Sequence, residues 1–465
     1  MLFSGLPFLF YFLPAVLTVY LIMPKRAKNT VLLVGSLLFY AWGEPRYVLL
    51  MAAVIVIGYV FGILIEKNMG NKLGRVFTAL SVVSGVGLLA YFKYADFFIE
   101  SFNGVTGLSV PLLKIALPIG ISFYTFQMLS YTIDVGRGQV KAQHNFINFA
   151  AYIAMFPQLV AGPIVRYSDI DRQLAERRHT LAGTALGIRR FVLGLGKKVI
   201  IANTLGELCN KFLVSQEQSV LFAWTYLIAS ALQIYFDFSG YSDMAIGLGR
   251  IFGFDFPENF DYPFISKSVT EFWRRWHMTL GSWFKDYLYI PLGGNRAGKA
   301  RQMLNILIVW LATGLWHGAA WNFVIWGLYF AVFLVIEKLW LGKYLGKSKV
   351  LGHIYLVFFV GISFIIFNAD TAAQAVKNIS LLFGNGASPV TAESLFYLRS
   401  YAGILLIGLI GATPAAARLC AFIRGRTAGE KTLNLLEPLF LAAILLVCVS
   451  FLVNGSYNPF LYFRF

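Results

Sequence analysis

Apolar residues in this chain come in long runs broken by short polar clusters, the pattern of helices that cross a bilayer. A spanning helix needs roughly 20 such residues. Twelve runs approach that length: 4–23, 29–43, 46–65, 76–94, 112–135, 199–213, 219–248, 302–318, 321–337, 351–368, 395–419 and 434–453. They predict an all-α polytopic membrane protein with about 11–12 transmembrane helices. Between them lie basic clusters at 24–28, 66–75, 137–141, 166–198, 267–301, 338–349 and 423–431, which the positive-inside rule places on the cytoplasmic side. Crossing in pairs then puts Met1 and Phe465 outside. Residues 144–165 carry Pro157, Gly162 and Pro163 in an apolar context between basic flanks, and predict a re-entrant hairpin. No internal repeat is visible. The chain divides into 1–143, a polar-seeded core at 144–337, and 338–465, all within one integral-membrane domain.

Composition sharpens this picture. The chain is 58% hydrophobic and 13% charged, against about 45–50% and 25% in soluble domains. Its net charge of +17 falls in loops, which excludes a nucleic-acid partner and leaves membrane lipid as the surroundings. Cys209, Cys420 and Cys448 are isolated and form neither a disulfide framework nor a metal motif. The first apolar run precedes the cluster PKRAK, so it does not read as a cleavable signal.

Three segments carry candidate chemistry. In SVTEFWRRWHMTLGSWFKDYLYIPLGGNR (268–296), Ser268 and Glu271 form a capping box that starts a helix near 269. Phe272, Trp276 and Trp283 share one side, so an amphipathic interfacial helix is expected. His277 falls in a stripe with Trp273, Leu280 and Phe284 and points toward apolar protein. Arg274, Arg275 and Lys285 are either snorkelling anchors or contacts for an anionic substrate.

In ALQIYFDFSGYSDMAIGLGRIFGFDF (231–256), Asp237 and Asp243 lie in a run otherwise fit for lipid. A carboxylate at that depth costs about 2.5–3.5 kcal/mol on insertion scales. Two readings stand, an ion pair with Arg250 or another arginine, and the lining of a substrate cavity.

In GLWHGAAWNFVIWGLYF (314–330), His317 is the one ionisable group among tryptophans and phenylalanines. Gly314 and Gly318 flank it and are expected to leave room for a ligand, with Trp316 and Asn322 beside it. A buried neutral imidazole accepts a proton. No HExxH, CxxC or glycine-rich phosphate loop appears, and no metal is called for. These residues permit general-base chemistry on a hydroxyl.

WRRWHMTLGSWFKDYLYIPLGGNR and GLWHGAAWNFVIWG, with FPQLVAGPI (156–164) and residues 233–264, resemble the membrane-bound O-acyltransferase (MBOAT) family. The opening MLFSGLPFLFYFLP and the closing NGSYNPFLYFRF are similar to its bacterial alginate O-acetyltransferase (AlgI-like) branch. The resemblance implies a ring of helices around a thinner core with a central tunnel. It further implies His317 as main catalytic residue and His277 as second, hydrogen-bonding the acyl carbonyl or positioning the donor. Asn322, Trp316, Trp273, Trp276, Asp237, Asp243, Arg274, Arg275 and Lys285 are its candidate substrate contacts, Asn322 as an oxyanion donor. No cofactor is permanently bound; acetyl-CoA or another acyl thioester, on CoA or an acyl carrier, is the expected donor. An extracytoplasmic polysaccharide is the expected acceptor, reached directly or through an extracytoplasmic partner protein, from the cytoplasmic membrane of a bacterium. D-alanyl transfer to teichoic acid, and transport of a polysaccharide or lipid-linked sugar, are the alternatives.

Overall fold

The computed structural model describes residues 2–455. The closing stretch from Ser456 on lies outside the described residues, as do Met1 and Phe465, whose expected side is therefore not addressed. Among the described residues all regular structure is helical, with one isolated bridge between Ser219 and Ser388. Helix forms in every apolar run, because inside a bilayer a helix satisfies its own backbone donors and acceptors. Among the described residues, seven helices are long and apolar enough to cross: Pro45–Lys67, Lys72–Thr106, Val220–Ile251, Trp321–Leu345, Lys349–Asn368, Ala392–Gly411 and Thr427–Val453.

The other runs hold shorter or interrupted helices, for local reasons. In 112–135, Pro111, Pro118 and the left-handed Gly120 keep the first part out of regular structure, and helix begins only at Ile121–Gly136. The run 395–419 breaks at Pro414, between Ala392–Gly411 and Ala415–Arg424. Proline and glycine barely change an average hydropathy, so the pattern reads through breaks that the backbone cannot.

The spans are of two kinds. The most apolar stretch of Thr427–Val453 is only 6% buried within the protein, as a lipid-facing helix requires, whereas that of Val220–Ile251 is 78% buried. The helix that carries Asp237 and Asp243 is thus an interior one.

The described residues form two compact units, 2–191 with Met244–Pro257, and Val192–Asp243 with 258–455. In the first, the helices pack through small residues. A Cβ at Gly58 would strike Met128 and Phe149, and one at Gly85 would strike Leu129. Residues 144–165 run as helix Phe146–Ala154, a break at Met155, a short turn Phe156–Leu159 and an irregular return. Every residue from Phe149 to Val165 is buried, the broken and enclosed course expected of a re-entrant segment.

In the second unit, helices Lys299–His317 and Trp321–Ile336 make a hairpin joined by three residues, of which Gly318 and Ala320 are extended. Gly314 and Gly327 bring the two backbones into contact: a Cβ at Gly314 would meet the Phe323 carbonyl, and one at Gly327 the Trp310 carbonyl. His317 is the last helical residue before the hairpin tip. The second helix continues to Glu337, whose buried carboxylate accepts from the Val269 and Thr270 N–H groups (2.6 and 2.9 Å) and from Thr270 Oγ1 (2.6 Å). A negative group at a helix N-terminus also complements its dipole. Replacing Glu337 by Ala strands three donors and should lower stability by about 2–4 kcal/mol. Thermal unfolding in detergent checks this, and an unchanged transition would refute the anchoring role.

Candidate active site

Ser268 caps helix Val269–Trp273, its Oγ accepting from Glu271 N (3.0 Å), but the expected capping box is only half formed. The Glu271 carboxylate reaches the Lys267 N–H instead of that of Ser268. The expected continuous amphipathic helix does not form. It stops at Trp273, and His277 takes a left-handed conformation (φ 44°, ψ 52°) before helix Met278–Phe284 begins. The stripe of Trp273, His277, Leu280 and Phe284 is therefore not a helix face. A non-glycine residue in this region is strained by roughly 1–3 kcal/mol and needs surroundings that hold it there.

Asn259 supplies them. Its Oδ1 accepts from Thr279 N (3.3 Å) and Thr279 Oγ1 (2.9 Å), and stands 3.0 Å from His277 Nδ1. Its Nδ2 donates to Ser242 Oγ at 3.0 Å, and its main-chain carbonyl accepts from Met278 N. The Thr279 backbone can only donate, so the atom facing it is the Asn259 oxygen. His277 Nδ1 must then carry a proton. In the neutral ring, Nε2 consequently holds the lone pair. His277 lies outside the seven long spans and is buried. Burial first, and the neighbouring His317 second, hold its imidazole well below the usual range.

His277 and His317 flank Trp316, with ring centroids 5.8 and 5.0 Å from it. Phe238 closes edge-on to His277 at 4.6 Å. Around His317, the rings of Trp326 (4.9 Å) and Phe367 (5.3 Å) stand nearly perpendicular. The Trp326 indole N–H is buried and has no acceptor among the described residues, and the same holds for Trp273.

Several expectations change here. Gly314 and Gly318 do not open space for a ligand. The first is filled by the hairpin contact with the Phe323 carbonyl, and a Cβ at the second would strike the Phe323 ring. Asn322 donates to the Ala369 carbonyl (3.0 Å) at the end of helix Lys349–Asn368, so its amide ties two helices. Asp237 and Asp243 pair with lysines, not with Arg250. Lys198 meets Asp237 at 2.5 Å with both side chains almost fully buried, and Lys197 meets Asp243 at 2.7 Å. Arg250 faces Asp255.

The other candidates scatter. Trp273 packs on Trp310 (4.6 Å), Trp326 and Phe330, and Trp276 stacks on Phe272 (5.4 Å) among Phe260 and Phe364. Arg275 is spent on Asp261 and Glu271. Arg274 and Lys285 are exposed. Asn259 and Trp326 join the two histidines without having been singled out. Asn259 does sit in the motif-bearing stretch 233–264, but an asparagine in a polar turn gives no sign of its hydrogen bonds.

Comparison with known proteins accords with this geometry. Residues 138–345, which include both histidines, match the membrane-bound O-acyltransferase family. The chain is similar to the probable alginate O-acetylase AlgI of Azotobacter vinelandii, 37% identical with all of both chains covered. It is also similar to that of Pseudomonas aeruginosa, 43% identical over 83% of this chain and 75% of the other. The peptidoglycan O-acetyltransferase of Helicobacter pylori is 33% identical over 83% of this chain and 81% of its own. This chain belongs to the membrane-bound O-acyltransferase family and is a multi-pass membrane O-acyltransferase.

Proposed function

We propose that the protein moves an acetyl group from a thioester presented at the cytoplasmic face, on CoA or an acyl carrier, to a hydroxyl of an extracytoplasmic polysaccharide. The observation that carries this reading is the pair of imidazoles on either side of Trp316, one with its tautomer set by Asn259, in a chain similar over its full length to probable alginate O-acetylases.

In this reading an imidazole nitrogen of His317 takes the hydroxyl proton as the oxygen attacks the thioester carbonyl. The new C–O bond forms, the C–S bond breaks, and the sulfur leaves with the proton that His317 returns. General-base catalysis contributes about 10²–10⁴ in rate. His277 acts as a positioning residue. Its Nε2 can accept but, in the neutral ring, cannot donate, so it orients an O–H or N–H of a substrate and is unsuited to the acyl oxygen. The oxyanion falls to the Trp326 indole N–H, since the Asn322 amide is committed to Ala369.

Replacing His317 by Ala should lower thioester-to-hydroxyl transfer by about 10²–10⁴-fold while the protein still purifies as a folded species. Trp326→Phe keeps a ring and loses the donor, and should lower kcat by about 10²-fold. Thiol release in membrane vesicles given a polyol acceptor measures both. Undiminished turnover in His317→Ala would remove the base from the mechanism.

Asn259 gives a sharper test through pH. Asn259→Ala frees the tautomer and should cost about 10²-fold in rate. Asn259→Asp still accepts from His277 and should recover much of it. A carboxylate there also stabilises the imidazolium and raises the His277 pKa. In the wild type the protonation of His277 therefore falls below the ordinary imidazole range, and Asn259→Asp should move the part of the activity loss that His277 causes to a higher pH. Identical pH–rate profiles would show that Asn259 serves only to hold the fold.

A separate extracytoplasmic protein is part of this proposal, because nearly all of the chain is apolar or lies in basic segments assigned to the cytoplasmic side, which leaves little to hold a polymer outside. Purified protein should acetylate short hydroxyl acceptors and leave long polysaccharide nearly untouched. Efficient acetylation of the polymer by this chain alone would rule the partner out.

A further inference from the structure

The first compact unit holds a group of cations that the acyl-transfer site does not use. Tyr20, at the end of helix Leu13–Ile22, is fully buried, and its hydroxyl donates to the Phe252 carbonyl at 2.7 Å. With that proton spent, the His179 Nε2 that lies 3.3 Å from the Tyr20 oxygen is the donor of the second bond. Lys28 Nζ sits 4.5 Å above the centre of the Tyr20 ring. The Arg177 guanidinium lies 4.4 Å over the ring of Phe254, and one of its Nη atoms donates to the Gln173 carbonyl. Gly253, left-handed at φ 82°, lets the chain pass between. A Cβ there would come within 2.8 Å of His179 Cε1 and 3.4 Å of the Arg177 Cβ.

None of Lys25, Lys28, Arg177 or His179 makes an ion pair among the described residues. Arg177 Nε is buried with no hydrogen-bond partner. Three acids of this unit are directed elsewhere: Asp169 accepts from the Arg166 N–H, Asp171 from the Arg172 N–H, and Asp255 faces Arg250. Desolvation and, after it, the charges of Lys28, Arg177 and Lys25 hold the His179 imidazole below its usual range. Like charges gathered around two aromatic rings, with an unmet guanidinium N–H, are arranged to receive an anion. A guanidinium laid flat on a ring still presents an edge that suits phosphate oxygens. Both basic clusters that supply these residues, 24–28 and 166–198, are assigned to the cytoplasmic side by the positive-inside rule.

We propose that Tyr20, Lys28, Arg177 and His179 form a binding site for a phosphate ester carried next to an apolar or ring-bearing group. Two sources share that chemistry, the headgroup of an anionic phospholipid and the phosphates of a nucleotide-bearing thioester. The site stands on its own contacts and does not depend on which acyl group is transferred.

The test uses the full chain in nanodiscs of phosphatidylcholine, with and without phosphatidylglycerol, and with added CoA. Retention of phosphatidylglycerol is read by native mass spectrometry and CoA binding by titration. Wild type should bind at least one of them. Arg177→Gln should weaken that binding by more than about tenfold, and Arg177→Lys should restore part of it. Lys28→Gln, on a separate and half-exposed helix start, should weaken it in the same direction even if Arg177→Gln folds poorly. Loss of phosphatidylglycerol alone identifies a lipid site, and loss of CoA alone a donor site. Binding of neither by wild type, or binding unchanged in both Gln variants, would overturn the proposal.

Discussion

One carboxamide, that of Asn259, holds the His277 loop in its shape. It takes hydrogen bonds from the backbone and hydroxyl of Thr279 and from His277, and gives one to Ser242 on the long interior helix. All four groups are buried, and none can find water if the amide is lost. That shared requirement keeps His277 at positive φ, in the gap between two short helices where a longer helix would otherwise run on. It also decides which imidazole nitrogen offers a lone pair. Fold and chemistry meet in a single side chain.

The same constraint governs the rest of the interior. Surroundings this apolar tolerate charge only in exact compensation, and the second unit supplies it pair by pair. Asp237 meets Lys198, Asp243 meets Lys197, and the Glu337 carboxylate meets three donors at the start of the helix before His277. Pairs of this kind add little net stability, but removing one partner is expensive. They act as registration marks, fixing the interior helix against its neighbours so that the glycine-packed hairpin presents His317 beside Trp316. The lipid-facing helices, by contrast, carry long apolar faces and few polar ties.

The sequence discloses what long-range averages carry. Twelve apolar runs, the broken stretch at 144–165 and the two histidine blocks are all visible without coordinates. The hairpin limits, 302–318 and 321–337, fall close to Lys299–His317 and Trp321–Ile336. What escaped depends on contacts between distant residues. The 268–284 stretch has a good helical period, yet tertiary hydrogen bonds to Asn259 and Glu337 overrule it. Gly314 and Gly318 read as open space because a glycine in sequence gives no hint of what fills the gap, here the backbone and ring of Phe323. Asp237 and Asp243 were legible as needing a cation, but the lysines lie on another helix, and Arg250 was merely the nearest in sequence. Asn322 stands beside His317 in the sequence while its amide faces Ala369.

Membership of the O-acyltransferase family, the paired imidazoles and the buried tryptophan donors converge on transfer of an acyl group to a hydroxyl. The identity of that group is the central claim, and chemical analysis of envelope polysaccharide tests it most directly. Ester-linked groups released by mild alkali from cells with and without this protein would be identified by mass spectrometry. The account predicts acetate present with the protein and absent without it. Release of D-alanine in its place, or equal acetate from both, would contradict it.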